Sequence, residues 1–278
     1  MTILPLGGRR ILTPALGRGW QRAGGGFVPT DIAGCKLWID FSDPTTLFTD
    51  AGSTPVSGDG DAIYQANDKS REGNNVTQSS SGNRPLYKTG IQNGLSIGRF
   101  DGANDYLGKS AFQFVDSVNG EWTVYVIAKR TKTQSDVQYV VCQDNETAWG
   151  DRVAQNIRFD GSGDNSYLTS IAFDTNVGTV YSVTYSQTYT DFVLIGIVCS
   201  TSQIEIYANG TATGSPTSVT GTLNTAAELF TIGGGRINSG GTEYFGGDIC
   251  EVVGVSNAIS ESDRNSLTTY LNNKWAIY

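Results

Sequence analysis

An antiparallel β-sandwich, all-β apart from one C-terminal helix and preceded by an extended N-terminal arm, is the fold this sequence predicts. Three observations carry that reading. Residues 31–257 are filled by short apolar or alternating runs separated by polar, glycine-rich turns. One of those runs, IEIYANG (204–210), ends in Asn209-Gly210, a pair that tolerates positive φ and so suits a two-residue hairpin. A single amphipathic stretch stands at the end of the chain. The 278 residues are enough for one large domain with a sizeable core. A composition 38% hydrophobic and 17% charged, with 35 glycines, fits many short strands better than a helical bundle.

Residues 1–30 (MTILPLGGRRILTPALGRGWQRAGGGFVPT) lack sustained periodicity and mix prolines, glycines and arginines. They read as an extended basic arm with a hinge at Gly24 to Gly26. Residues 31–278 form the body. Its clearest strands are WTVYVIAK (122–129), VQYVVC (137–142), YLTSIAF (167–173), TVYSVTY (179–185), FVLIGIV (192–198) and QIEIYAN (203–209). WTVYVIAK is apolar on both faces, as a central strand is. Residues 260–273 form the helix. Ser260 stands at the N-cap with Asp263 as its capping-box partner, and Leu267, Tyr270, Leu271 and Trp275 make one stripe.

Charge is unevenly placed. Arg9, Arg10, Arg18 and Arg22 meet no acid in residues 1–30, so a whole-chain charge of −8 leaves −12 on the body. An acidic body disfavours nucleic acid as a partner. No apolar run is long enough to span a membrane, and the arm lacks the apolar core of a secretory signal. The absence of histidine excludes Ser-His-Asp and Cys-His catalysis and any His-ligated metal. Cys35, Cys142, Cys199 and Cys250 form no CxxC pair. The last three lie in or at the end of β-branched runs, so buried thiols are expected, with a disulfide between neighbouring strands left open.

Several segments occur in a recognisable order: LWIDFSD (37–43), the polar excursion DAIYQANDKSREGNNVTQSSSGNRPLY (61–87), RFDGANDYL (99–107), IEIYANG, FTIGG (230–234) and GDICEVVGVSNAIS (247–260). This order, over residues 33–277, resembles the laminin-G-like branch of the concanavalin A-like lectin/glucanase jelly rolls. Tyr64 stands where that pattern often has Trp. The resemblance implies a jelly-roll sandwich, and its setting implies structural proteins of tailed bacteriophages or bacterial surface proteins.

Glucanases of the superfamily carry a strand motif E-x-D-x-x-E, whose acids act as nucleophile and general acid. No glutamate here has Asp at +2 and Glu at +5; Glu205 and Glu251 each lie alone in a strand. A non-enzyme is therefore expected. Calcium is the one cofactor left open, and no cofactor is required. Its ligands are sought first in Asp144, Glu146 and Asp151, oxygens clustered in DNETAWGD, ahead of Asp59/Asp61 and Asp160/Asp164/Asn165. For a glycan, Trp149 is the tryptophan flanked by turn residues and so the sugar platform, with Asn145 and Asp151 as hydrogen-bonding partners. Trp38, Trp122 and Trp275 sit in apolar patterns and are assigned to the core. Tyr181 and Tyr185 share one strand face, a pattern of an ordinary sheet as much as of a binding strip; Tyr189 follows.

The arm combines Arg9, Arg10, Arg18 and Arg22 with Trp20 and apolar ILPL and ILTPAL, too apolar for a plain flexible tail. It is expected to dock on other virion proteins, capsid or tail subunits. The leading expectation is a virion decoration or structural protein, homo-oligomeric, with its lectin-like sandwich displayed to host surface polysaccharide. The alternatives are a bacterial surface adhesin domain and a glycan hydrolase.

Overall fold

The computed structural model describes residues 26–132, 137–144, 154–160, 167–173, 180–186, 190–223, 225–235 and 243–278. A 3-10 turn at Pro29–Asp31 leads into β1 (Cys35–Asp40). The polar excursion supplies the short strands β2 (Leu47–Phe48), β3 (Gln65–Ala66) and β4 (Val76–Thr77). Then follow β5 (Leu86–Gln92), β6 (Leu95–Asp101), β7 (Leu107–Phe112), β8 (Trp122–Arg130) and β9 (Gln138–Asp144). Next come β10 (Ala154–Asp160), β11 (Tyr167–Phe173), β12 (Val180–Ser186), β13 (Val193–Cys199), β14 (Gln203–Ala208) and β15 (Thr211–Ser218). The chain ends with β16 (Glu228–Ile232), β17 (Gly234–Gly235), β18 (Glu243–Tyr244), β19 (Gly246–Val255) and the helix α1 (Glu261–Trp275).

Two antiparallel sheets face each other, confirming the sandwich. The first runs β15-β14-β13-β8-β19-β6-β5, with β1 also on β19. The second runs β12-β11-β10-β9-β16-β7-β4-β3-β2. Between them lies the main core, with Phe41, Phe100, Trp122, Ile157, Phe159, Phe230 and Phe245 among its members. β8 is central, as its two apolar faces require, and lies between β13 and β19. The Asn209-Gly210 turn has φ of +50° and +76°, as a hairpin joining β14 to β15 needs. On the far edge the sheets meet: the Thr217 hydroxyl donates to the Ser182 carbonyl at 2.6 Å.

α1 covers the outer side of the first sheet. Leu267, Leu271 and Trp275 are buried there with Trp38, Tyr125, Ile127, Leu194 and Val253; Tyr270, Phe27 and Val28 pack at the margin. Ser260 caps the helix by accepting from the Asp263 amide at 3.1 Å. The reciprocal half of the expected box is different: the Ser260 hydroxyl donates to the Asp263 carboxylate at 2.8 Å, and its amide is not the donor. All three tryptophans assigned to the core are buried, and so are the four cysteines. Burial pushes the Cys35 and Cys199 thiols up to about 12, which makes them unreactive. Tyr181 and Tyr185 point inward, so that pair belongs to the core. No helix among the described residues is long and apolar enough to cross a membrane.

Candidate functional site

Most residues singled out in the sequence as binding or assembly candidates cannot be placed. Arg9, Arg10, Arg18, Trp20, Arg22, Asn145, Glu146, Trp149 and Asp151 lie outside the described residues. Asp144 is placed only through its backbone, which pairs with Ala154 at the end of β9. Among the described residues no group of three or more Cys, Asp or Glu is arranged to hold a metal ion.

The strand glutamates do not form a hydrolytic pair. Glu251 has no solvent exposure, and its carboxylate accepts from Trp38 Nε1 at 2.6 Å, Tyr270 Oη at 3.1 Å, Lys274 Nζ at 2.7 Å and Trp275 Nε1 at 2.7 Å. Burial and the nearby Asp40 charge push its pKa up. Three of its four partners, two indole N–H groups and an ammonium, can only donate and so favour the carboxylate, while the Tyr270 hydroxyl can donate or accept. Lys274 also reaches Asp40 at 2.7 Å, and Lys69 bridges Asp40 and Asp43 at 2.8 Å each. This network ties β1, the polar excursion, β19 and α1 together. It is a structural clamp, with the carboxylates of Asp40 and Glu251 both buried.

The arrangement suited to a ligand is on the outer face of the second sheet. Strand register aligns Gln65, Thr77, Gly108, Thr231, Cys142 and Asn156 directly across β3, β4, β7, β16, β9 and β10. None of the six belongs to either hydrophobic core. At about 4.8 Å per strand the row is roughly 24 Å long. It is open at one end, where Thr77 is exposed and Gln65 and Gly108 are half-buried, and closed at the other, where Thr231, Cys142 and Asn156 are buried. The Thr231 hydroxyl donates to the Cys142 carbonyl at 3.2 Å and also contacts the Gly234 carbonyl. Asn156 Oδ1 is buried without a hydrogen-bond partner among the described residues.

Aromatic side chains flank the open half. Tyr106 lies against Gly108, with its ring 3.5 Å from where a Cβ would stand, and pairs with Tyr244 at 6.5 Å between centroids. The turn before β7 sets Tyr106 in place. Asp101 Oδ1 accepts from the amides of Ala103, Asn104 and Asp105 at 2.8, 3.1 and 3.2 Å, and Asp105 Oδ2 accepts from the Asp101 amide at 3.0 Å. Burial, reinforced by the neighbouring Asp101 charge, raises Asp105 to about 7. Further along the face, Arg158 Nη1 donates to the Tyr139 hydroxyl at 3.2 Å. Tyr139 is buried beneath Gly235, and that burial raises its pKa. Chemically, the open half offers the Tyr106 ring and Leu229 beside Gly108, the Thr77 hydroxyl and the Gln65 amide.

None of the row was visible in sequence, because its members are up to 166 positions apart and only register brings them together. The FDGANDY turn that orients Tyr106 was visible.

Comparison with known proteins gives a consistent picture of the fold. Residues 101–263 match the Laminin_G_3 family model, of the concanavalin A-like lectin/glucanases superfamily. No curated protein sequence matches the chain. Among solved structures, the receptor binding domain of botulinum neurotoxin D is similar with a TM-score of 0.57 at 10% identity, covering 88% of this chain and 54% of that one. The binding domain of Paraclostridial Mosquitocidal Protein 1 has a TM-score of 0.57 at 14% identity, with coverage of 88% and 54%. The botulinum neurotoxin serotype G binding domain has a TM-score of 0.51 at 13% identity, with coverage of 86% and 51%. The chain thus spans about half the length of these structures, and at such identities the likeness is one of fold.

Proposed function

The chain belongs to the concanavalin A-like lectin/glucanase superfamily, and from that premise we propose that it is a carbohydrate-binding domain without catalytic activity, its ligand lying on the outer face of the second sheet. The observation that carries this reading is the uncharged polar row of six strands beside Tyr106. A sugar presents hydroxyls, which the Thr77 hydroxyl and Gln65 amide can meet, and an apolar ring face, which a tyrosine ring can cover. Gly108 carries no side chain of its own, and the Tyr106 ring and Leu229 lie 3.5 Å from where its Cβ would stand, so they form the apolar edge of the site. Fold-level analogy with structures named as receptor-binding or binding domains points the same way, as a weaker warrant. Against hydrolysis stands the state of Glu251, whose carboxylate is fully engaged by four donors.

At a finer level, the protein is a component of a tailed-phage virion, attached through residues 1–30 to capsid or tail subunits, homo-oligomeric, and displaying the sandwich to host surface polysaccharide. Support for this comes from the ordered motif set of the sequence and from the basic, apolar composition of the arm.

The test is binding of the full chain to an array of bacterial surface glycans. Tyr106→Ala should weaken binding about tenfold, equivalent to ~1.4 kcal/mol, and Gly108→Trp should abolish it, both with unchanged circular dichroism. Unchanged affinity in both variants would remove the outer face as the site. A wild-type chain that binds no glycan would remove the carbohydrate reading itself.

A further inference from the structure

The outer face of the second sheet changes character between two neighbouring strands. Gly108 on β7 is half-buried and Thr77 beside it is exposed. One strand further on, Thr231 is 3% exposed, with Cys142 at 1% and Asn156 at 3% beyond it. The chain that follows β16 marks this step. Gly233 has φ of +87°, a turn that lets the Gly234 carbonyl meet the Thr231 hydroxyl. Gly234 pairs with Tyr244 in the short hairpin of β17 and β18, and the Tyr244 ring stands 6.5 Å from that of Tyr106. Tyr106 in turn lies against Gly108. The hairpin thus touches the row on both sides of the step, Gly234 at Thr231 and Tyr244 at Tyr106. The Thr231 hydroxyl faces two backbone carbonyls, those of Cys142 and Gly234, and has no proton left to donate to a ligand.

The other direction is open. Gln65 Nε2 donates to Asn67 Oδ1 at 2.6 Å, which fixes the amide and leaves Oε1 as an acceptor beside the Thr77 hydroxyl. Gln65 to Gly108 is two strand spacings, about 10 Å, and past Gln65 comes only β2 at the margin of the sheet. We propose that this half-row receives the end of a glycan chain and not an internal stretch. The terminal residue lies over Gly108 against the Tyr106 ring and Leu229, and the chain leaves over Thr77 and Gln65 across the sheet margin. A polymer continuing along the row in both directions would have to pass over Thr231, which is buried. A terminal residue has no such continuation. This inference deepens the carbohydrate reading and rests on it.

Isothermal titration of the full chain tests it. The probe is the surface polysaccharide that the wild type binds on the array, intact and cut by mild acid to graded lengths. Recognition of an end predicts a constant amount of protein bound per chain terminus, so that chains about tenfold shorter bind about tenfold more protein per milligram. Gly108→Trp, which fills the place of the terminal residue, should remove binding at every length. Protein bound per milligram that does not change with length would overturn the proposal and leave the carbohydrate reading standing, because internal stretches would then be the ligand. Length-dependent binding that survives both Gly108→Trp and Tyr106→Ala would also overturn it, since the chain end would be held elsewhere. If the wild type binds no polysaccharide, the carbohydrate reading falls and this inference falls with it.

Discussion

The two sheets of this sandwich are built to opposite specifications. β8, β13 and β19 of the first sheet are buried nearly end to end, because the second sheet covers one side and α1 the other. The second sheet has its inner side in the core, while its outer side carries the row Gln65, Thr77, Gly108, Thr231, Cys142 and Asn156. Burial on both sides demands continuous Val and Ile runs, and these are present in WTVYVIAK and VLIGIVC. Exposure at the row's open end permits polar residues such as Gln65 and Thr77, while Thr231 and Asn156 are buried at the closed end. The difference teaches where change is tolerated: the first sheet is scaffold, and the open face of the second is where recognition can be altered at little cost to the fold.

The largest effect should come from the clamp beneath the helix. Glu251→Ala removes the acceptor shared by two indoles, a phenol and Lys274, and is expected to cost about 3–5 kcal/mol in urea unfolding. A loss below ~1 kcal/mol would show that the clamp is dispensable. Glycines give the next and most direct comparison. A Cβ at Gly196, on β13, would lie 2.4 Å from the buried Tyr125 ring, whereas one at Gly108, on β7, meets nothing closer than 3.5 Å. Gly196→Ala should therefore destabilise by about 1–3 kcal/mol.

Asp105 gives a smaller, pH-dependent effect at the rim of the open sheet. Its carboxyl titrates near 7 in the folded chain against an ordinary 3.8. Between those values the folded state holds a proton that the unfolded chain has released, so this group's contribution to stability is present in acid and lost as pH rises toward 7. Asp105→Asn should make the protein relatively more stable at pH 8 than at pH 5, by about 1–2 kcal/mol. Parallel stability curves for the two proteins between pH 5 and 8 would contradict this. The smallest effect belongs to Gly108→Ala, expected to lie within about 0.5 kcal/mol of wild type. A cost equal to that of Gly196→Ala would erase the contrast between the sheets.

Features depending on neighbours in sequence were legible before any coordinates. The Asn209-Gly210 hairpin, the Ser260 cap, the helix stripe and the central position of β8 all follow from local pattern. So did the solitary nature of Glu205 and Glu251. Strand Ala154–Asp160 was missed although Ile157 and Phe159 alternate correctly, because flanking polar residues mask so short a signal. Thr211–Ser218 was missed for a different reason. Its glycine, proline and threonines have weak strand propensity, and pairing with β14 overrides it. The outer row and the clamp were invisible in principle. The row joins residues from position 65 to position 231 and the clamp residues from position 38 to position 275, and only register and helix docking make them neighbours.

The placement of β19 has a consequence for how this protein is made. Residues 246–255 sit in the middle of the first sheet, with β8 on one side and β6 followed by β1 on the other. They are synthesised after every strand they pair with. Until they emerge from the ribosome, β8 and β6 have open edges where their partner belongs, and the nascent chain carries unpaired strands of the kind that aggregate. Translation that stops before residue 246 would not trim the sheet; it would leave β8, β6 and β1 without the strand that joins them.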